Sequence, residues 1–365
     1  MTHVFVAPHP DDVALSCGGL VASLRELGHN VAIVTVYSGV GSNGGQLSDY
    51  QRAALGFGSK ASWPLTEAFR STNIAPEFPV EVTATAGVNP PWMADPERID
   101  VTQQRANTQA RQFWQRAAWT RSANITNLET DARPLADNVG GQGSLVPIDF
   151  GAADAMQIRK AEEERYAFFA ELSVIFLDLP DAVHRGYEGD DQLLGTVRED
   201  DHAPYELLRS EILRLEPQMV YFPLGVGGHV DHQLCREVGL SLLAEGRRWV
   251  MPGPGFVGSL SFYEDFPYAW WTEFSGPANF GGGANAGNAV DLDLPPGVNV
   301  EAQYADITDV LDRKTAGIKL YASQIERLFE SEQGMLDDLA SYHARVALAG
   351  GVPGYAERYW TTIKP

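Results

Sequence analysis

Cysteine and basic charge are scarce in this sequence, and long apolar runs are absent. Only two of the 365 residues are cysteines, Cys17 and Cys235, which is too few for a disulfide framework, and we expect both to be small buried residues. Lys and Arg number 27 against 48 Asp and Glu, and the net charge of −21 would repel a phosphate backbone, so no nucleic-acid partner is expected. No uninterrupted apolar stretch reaches the length of a membrane-spanning helix, so none is predicted.

The start of the chain also lacks the basic region and cleavage site of a signal peptide, because it enters a strand directly. We therefore expect a soluble protein in the cytoplasm. The overall composition, with 44% hydrophobic and 21% charged residues, is typical of a globular protein.

Strand and helix signals alternate in the sequence. Residues 3–8 and 31–37 are short apolar runs that flank a helix predicted over 13–27, which is the βαβ unit of a parallel sheet. The alternation resumes after a long interruption, and its predicted elements are helices over 158–171, 204–215 and 308–331 and strands at 173–178, 219–224 and 257–263. The pattern predicts one α/β domain over 1–365, with a Rossmann-like, doubly wound and mostly parallel sheet.

Two irregular segments interrupt this alternation. Residues 42–157 are rich in Gly, Pro, Asn and Trp, with one helix predicted over 100–121, and residues 275–300 contain a glycine-rich run. We interpret 42–157 as a large insertion after the second strand that forms a lid or an oligomer contact. We interpret 275–300 as a smaller irregular insertion.

Polar side chains gather at two strand-to-helix corners, PHPDD at 8–12 and GGHVDH at 227–232. Ligands of open α/β sheets bind outside the carboxyl ends of the strands, so both corners are expected to face one crevice. Two histidines and one carboxylate have the ligand count of a catalytic zinc site. His229 and His232 are three residues apart at a helix start, so both side chains can point to the same place.

Other interpretations of these residues remain open. Asp11, Asp12 or Asp231 can serve as a helix N-cap, and a histidine at a strand end is often structural. Two histidines and a carboxylate also form the ligand set of Fe(II) oxygenases, and a carbohydrate-binding protein can carry a metal without turnover. The segment GVGSNG at 39–44 fits a dinucleotide-binding pattern, although it follows the second strand rather than the first. Two corners that each carry His and Asp, in a chain with eight histidines, favour a shared metal site.

An HPDD block after the first strand and a later HxDH block resemble the de-N-acetylase superfamily called LmbE-like or PIG-L-like. Segments 159–181, 262–269 and 306–324 resemble the same family, whereas 42–157 and 275–300 do not. Val13 departs from the family pattern, which often has Glu after the second Asp, and we expect this to alter the surroundings of the metal rather than the metal itself.

The resemblance implies a function and a role for each residue of the two blocks. One Zn²⁺ per chain, or another divalent ion, would be bound by His9, Asp12 and His232. Asp11 would be the general base, and His229 would stabilise the oxyanion or act as the acid.

The same resemblance implies that Asp231 orients His229. The substrate would be an N-acylated, in general N-acetylated, amino sugar or glycoconjugate, and the products acetate and a free amine. Arg185, Tyr263 and Asp265 are candidates for sugar contacts, with surface or packing roles as the alternative. The sequence is also compatible with assembly into a homo-oligomer.

Overall fold

The structure is a computed structural model, and it describes residues 1–41, 47–56, 152–245, 259–274, 294, 296 and 299–363. The strands of this part of the chain are β1 (Thr2–Ala7), β2 (Asn30–Thr35), β3 (Ser173–Phe176), β4 (Met219–Pro223), β5 (Ser259–Tyr263), β6 (Asn299–Asp306) and β7 (Ala356–Ile363). The helices of the first half of the sheet are α1 (Asp12–Glu26), α2 (Asp49–Ala54) and α3 (Ala152–Phe169). The later helices are α4 (Asp190–Leu193), α5 (Tyr205–Arg214), α6 (Val230–Ala244), α7 (Tyr268–Trp271), α8 (Leu311–Ile318), α9 (Ala322–Phe329) and α10 (Glu332–Gly350).

The strands form one mixed sheet in the order β3-β2-β1-β4-β5-β7-β6. The strands β3, β2, β1, β4 and β5 are mutually parallel, and β7 joins β5 and β6 in antiparallel pairs. Val4, Phe5 and Val6 of β1 are fully buried, as expected for a central strand of a parallel sheet that helices cover on both faces. The predicted α/β fold with a mostly parallel, doubly wound sheet is confirmed.

The strand order reverses between β1 and β4. From β1 the chain adds β2 and β3 on one side, and it then returns to place β4 and β5 on the other side. Such a reversal opens a crevice at the carboxyl ends of the two central strands, because the connecting segments leave in opposite directions. The two polar corners of the sequence are the segments that follow β1 and β4.

The C-terminal quarter differs from its prediction. The single helix predicted over 308–331 is a short 3₁₀ turn followed by α8 and α9, with a break at Tyr321, whose backbone lies outside the helical region. The long helix α10 and the antiparallel strands β6 and β7 were not predicted. These strands are defined by pairing with partners distant in the sequence, which local periodicity does not report.

The predicted insertions and the predicted location stay predictions. Of 42–157 the structure describes 47–56, including α2, and the start of α3, which begins within the predicted insertion. The helix predicted over 100–121 and nearly all of 275–300 lie outside the described residues. Among the described helices, none combines the length and the apolar character needed to cross a membrane.

Candidate functional site

Two neighbouring parallel strands, β1 and β4, position the polar residues of the two corners. The loop after β1 carries His9 and Asp11 and leads into α1 at Asp12. The loop after β4 ends at His229, and α6 places His232 in its first turn. Because these strands are adjacent in the sheet, their carboxyl ends bring residues more than 200 positions apart into contact.

His9, Asp12 and His232, the predicted metal ligands, lie together. Asp12 Oδ2 is 3.3 Å from His9 Nδ1 and 3.4 Å from His232 Nε2. The backbone N–H of His9 also donates to Asp12 Oδ2 over 2.8 Å, which fixes this carboxylate. His232 Nε2 is buried and has no hydrogen-bond partner among the described residues, as expected for a nitrogen that serves a metal ion. These residues therefore fit a divalent ion.

A carboxylate lies behind each of these two histidines. Asp231 Oδ2 is 2.9 Å from His9 Nε2, and Asp265 Oδ1 is 2.6 Å from His232 Nδ1. A carboxylate at the far nitrogen of an imidazole fixes its tautomer and leaves the other nitrogen free to bind a metal. The contact between Asp231 and His9 differs from the predicted one, in which the Asp231 carboxylate orients His229.

The charge of the site favours a bound cation. Burial alone lowers the pKa of His9, but the carboxylates of Asp181, Asp12 and Asp231 outweigh it and raise that pKa to about 10. Burial likewise disfavours a charge on His232, and Asp12 and Asp265 reverse this and raise its pKa. Carboxylates that hold protons on buried imidazoles also attract a divalent cation.

Asp11 has an unusual backbone conformation. It precedes α1 with φ of 109° and ψ of −32°, a region that non-glycine residues rarely adopt, and its side chain makes no capping hydrogen bond to the helix. Asp11 therefore stands at the N-cap position of α1 without capping the helix through its carboxylate. Burial, and then the charge of Asp12, raise the pKa of Asp11 to about 7 against the opposing effect of Arg159.

His229 is the residue that caps α6. Its Nδ1 accepts the backbone N–H of Asp231 over 3.2 Å, which leaves the imidazole proton on Nε2. Burial, together with the nearby His9 and His232, lowers the pKa of His229 well below its usual value. The ring nitrogens of His9, His229 and His232 lie within 4.8 Å of one another, so the Nε2 proton of His229 borders the same site.

A cleft opens beside these groups. Besides the predicted residues, its lining includes the charged side chains of Asp181, Arg159 and Arg327 and the ring of Tyr268. Sequence reasoning did not single out these four residues. The sequence does carry a signal for two of them, because Asp181 follows β3 at the same edge of the sheet and Arg159 begins a segment that resembles the family.

The candidate sugar contacts have other partners, and none of them lines the described cleft. Arg185 pairs with Asp201 and Asp231. The Tyr263 hydroxyl is buried and donates to the carbonyl of Val6 over 2.8 Å. Asp265 accepts from His232 and from the backbone of Val226. The polar atoms of all three residues are thus engaged by protein groups, and their role as sugar contacts stays a prediction.

The glycine segment 39–44 does not form a phosphate-binding turn in the part that the structure describes. Gly39 donates its N–H to Leu179 and bridges to Pro180, so residues 39–41 run beside the loop after β3. The rest of the segment, 42–44, lies outside the described residues. The cysteines Cys17 and Cys235 are buried with free thiols, as predicted.

The chain is similar to several deacetylases. Residues 4–65 match the family model of the PIG-L GlcNAc-PI de-N-acetylases. A 2'-N-acetylparomamine deacetylase of Streptomyces fradiae is 29% identical over 230 residues, which cover 58% of this chain and 72% of that protein.

Solved structures show the same fold at low identity. A deacetylase of teicoplanin biosynthesis aligns with a TM-score of 0.53 and 18% identity, covering 100% of this chain and 99% of that chain. The A40926 pseudoaglycone deacetylase aligns with a TM-score of 0.51 and 19% identity, covering 99% and 97% of the two chains. Together with the family match, these similarities confirm the resemblance that the two sequence blocks predict.

Proposed function

We propose that this chain, which is similar to the LmbE-like or PIG-L-like de-N-acetylases, hydrolyses the N-acyl group of an amino-sugar substrate. For an N-acetyl group the products are acetate and a free amine. One observation carries the proposal: His9 Nδ1 and His232 Nε2 face Asp12 Oδ2, each imidazole is backed by a carboxylate, and Asp11 lies beside them. The similarity to an N-acetylparomamine deacetylase supports an amino sugar as the class of substrate.

His9, Asp12 and His232 would hold one divalent ion, and their chemistry favours Zn²⁺. Two imidazoles and one carboxylate are a known zinc set that leaves a position for substrate or water. Such an ion, when bound, polarises an amide carbonyl and lowers the pKa of water.

The other residues of the cleft supply proton transfer and charge stabilisation. Asp11 accepts a proton from the water that attacks the carbonyl carbon, and that proton then goes to the departing nitrogen as the C–N bond breaks. His229 donates from Nε2 to the oxygen on which negative charge develops, because its Nδ1 is already engaged by the backbone of Asp231. A base of this kind contributes roughly 10²–10⁴ in turnover.

The alternatives from other classes lack a comparable observation. A carbohydrate-binding protein has no need of a buried carboxylate such as Asp11 held in a strained conformation next to the ligands. An Fe(II) oxygenase usually carries such ligands on a β-barrel, whereas here they stand at the carboxyl ends of parallel strands in an open α/β sheet.

Metal analysis followed by an assay for amine release tests the proposal. Purified protein should hold about one zinc-like ion per chain, and it should release amine from one or more members of a panel of N-acetylated amino sugars. Chelation should abolish release and added zinc should restore it. An Asp12→Ala variant should lose the ion, whereas His229→Gln should keep it and lose turnover. Full activity of metal-free protein would contradict the proposal.

A further inference from the structure

Two residues of α3 hold the peptide group that immediately precedes the Cα of Asp11. Arg159 donates from its guanidinium to the carbonyl of Pro10 over 3.1 Å, and Glu163 Oε2 accepts the N–H of Asp11 over 3.0 Å. Arg159 and Glu163 are four residues apart, so they lie on one face of the helix. The Pro10–Asp11 peptide is therefore bound at both of its polar atoms by one element that is distant in the sequence.

We propose that Glu163, together with Arg159, is a positioning residue that locks this peptide and so aims the Asp11 carboxylate into the cleft. The inference rests on the proposed function, in which Asp11 is the general base. A residue with φ of 109° persists only when its surroundings hold it there, and bonds to both ends of the preceding peptide restrict the rotation of that peptide. With a relaxed backbone, Asp11 would be free to cap α1, as aspartate does at many helix starts.

The surroundings of Glu163 support this role. The residue is 1% exposed, and of its two carboxyl oxygens only Oε2 has hydrogen-bond partners among the described residues. Its Oε2 receives both the Asp11 N–H and the Tyr321 hydroxyl, the latter over 2.7 Å. The contact with Tyr321 ties the carboxylate to the break between α8 and α9, so the acceptor itself is fixed.

The neighbouring Glu162 provides a matched control. It is also buried, but its carboxylate accepts the N–H and the hydroxyl of Ser323, over 2.9 and 2.6 Å, and it has no hydrogen bond to the loop after β1 that carries Asp11. Glu162→Leu and Glu163→Leu therefore each remove one buried carboxylate from the same helix turn, and only the second removes a contact to Asp11.

Kinetics and zinc content of these variants test the proposal. Glu163→Leu should lower kcat by roughly 10–100-fold, because a misplaced catalytic group costs about this much, while KM and zinc content stay near those of the parent. Glu163→Gln keeps an oxygen acceptor and should recover most of the kcat. Glu162→Leu should show no such selective loss of kcat. Equal losses of kcat in the two leucine variants would overturn the proposal.

A double-mutant cycle separates positioning of Asp11 from a general structural effect. In an Asp11→Asn background, Glu163→Leu should cause little further loss of kcat, because the group that it positions no longer works as a base. If the Glu163→Leu effect is as large with Asn at position 11 as with Asp, Glu163 does not act through Asp11.

Hydrogen exchange at the Asp11 amide provides a readout that does not depend on turnover. This amide should exchange slowly in the parent and in Glu163→Gln, and faster in Glu163→Leu, since only the leucine variant lacks its acceptor. If the Asp11 amide exchanges at the same rate in Glu163→Leu as in the parent, Glu163 does not hold the Pro10–Asp11 peptide, and the proposal is overturned even if the enzyme is active. A protein that releases no amine from any substrate, but shows the expected exchange, would instead contradict the proposed function alone.

Discussion

Asp11 and Asp12 are adjacent carboxylates with different surroundings. Asp12 faces both metal-site histidines, whereas Asp11 faces the cleft and is held by α3. Asp12→Ala should therefore lose most bound metal together with turnover. Asp11→Asn should keep the metal and lose turnover by about 10²–10⁴. Metal content and amine release, measured on the same preparations, check both expectations, and near-normal turnover of Asp11→Asn would remove Asp11 from the mechanism.

The strained backbone conformation of Asp11 leads to a second prediction, which concerns the stability of variants at this position. At φ of 109° glycine is favoured over alanine, so Asp11→Gly should be more stable than Asp11→Ala by about 1–2 kcal/mol. Both variants remove the same carboxylate, so their difference isolates the backbone. Denaturant unfolding measures it.

Position 12 is the control for this comparison. Asp12 is the first residue of α1, where alanine is the better helix former, so Asp12→Ala should be at least as stable as Asp12→Gly. A preference for alanine at both positions would show that Asp11 carries no backbone strain.

A buried ion pair between α8 and β7, whose carboxylate also binds the backbone of α1, locks these three elements together. Lys314 Nζ lies 2.6 Å from Glu357 Oε1, and the same carboxylate accepts the backbone N–H groups of Gly19 and Leu20 in the middle of α1. Glycine at position 19 is required for this approach, because a Cβ there would lie 2.5 Å from Ile307. The lock fixes the helix whose first residue is Asp12.

Breaking this lock should destabilise the protein strongly. Lys314→Met leaves the buried Glu357 carboxylate without its cation and should lower the free energy of unfolding by about 3–5 kcal/mol. Lys319→Met, at the end of the same helix, removes an ion pair of a 40% exposed lysine with Glu332 and should cost at most about 1 kcal/mol. Similar losses in the two variants, measured by denaturant unfolding, would contradict this account of the lock.

The elements of the sheet differ in how far the sequence predicts them. The strands β1, β2 and β4 are apolar runs between turn signals, so composition alone locates them. The break of the predicted helix over 308–331 depends on Tyr321, whose hydroxyl bonds to Glu163 on another element. Strand β7 is defined by its pairing with β5 and β6. Such contacts are tertiary, and a single sequence does not report them.

The residues of the site also divide into those that the sequence predicts and those whose contacts depend on tertiary packing. The two polar corners are predicted from the residues because strand-end histidines beside carboxylates are rare and chemically specific, and the family resemblance singles out His9, Asp12 and His232 as the metal ligands. The carboxylates behind these histidines have other predicted roles, because the resemblance implies that Asp231 orients His229, and Asp265 is a candidate sugar contact. Which nitrogen a carboxylate reaches depends on the packing of three strands, and spacing within one loop does not determine it.

For the whole molecule, the buried His343 predicts how stability depends on pH. Its Nδ1 lies 3.0 Å from the carbonyl of Ala356, and burial, with Lys314 nearby, lowers its pKa well below 6.5. Above pH 6.5 this histidine is neutral in both the folded and the unfolded chain. Below that pH only the unfolded chain takes up the proton, so stability is lost as the pH falls.

Between pH 7 and pH 5 this one group should lower the free energy of unfolding by on the order of 1–2 kcal/mol. Urea unfolding over this range measures the slope, and His343→Gln should make it shallower. Parallel slopes for parent and variant would show that His343 does not contribute.

The two halves of the site come from distant parts of the chain, with His9 and Asp231 separated by 222 positions. The first half offers two of the proposed ligands, His9 and Asp12, and the second half offers only His232, while closing so long a loop carries a large entropic cost in an unfolded chain. Tight ion binding is therefore a property of the assembled sheet, and during refolding it must follow the pairing of β1 with β4. The rate of metal uptake by refolding protein would then time the formation of a long-range contact at the centre of the sheet.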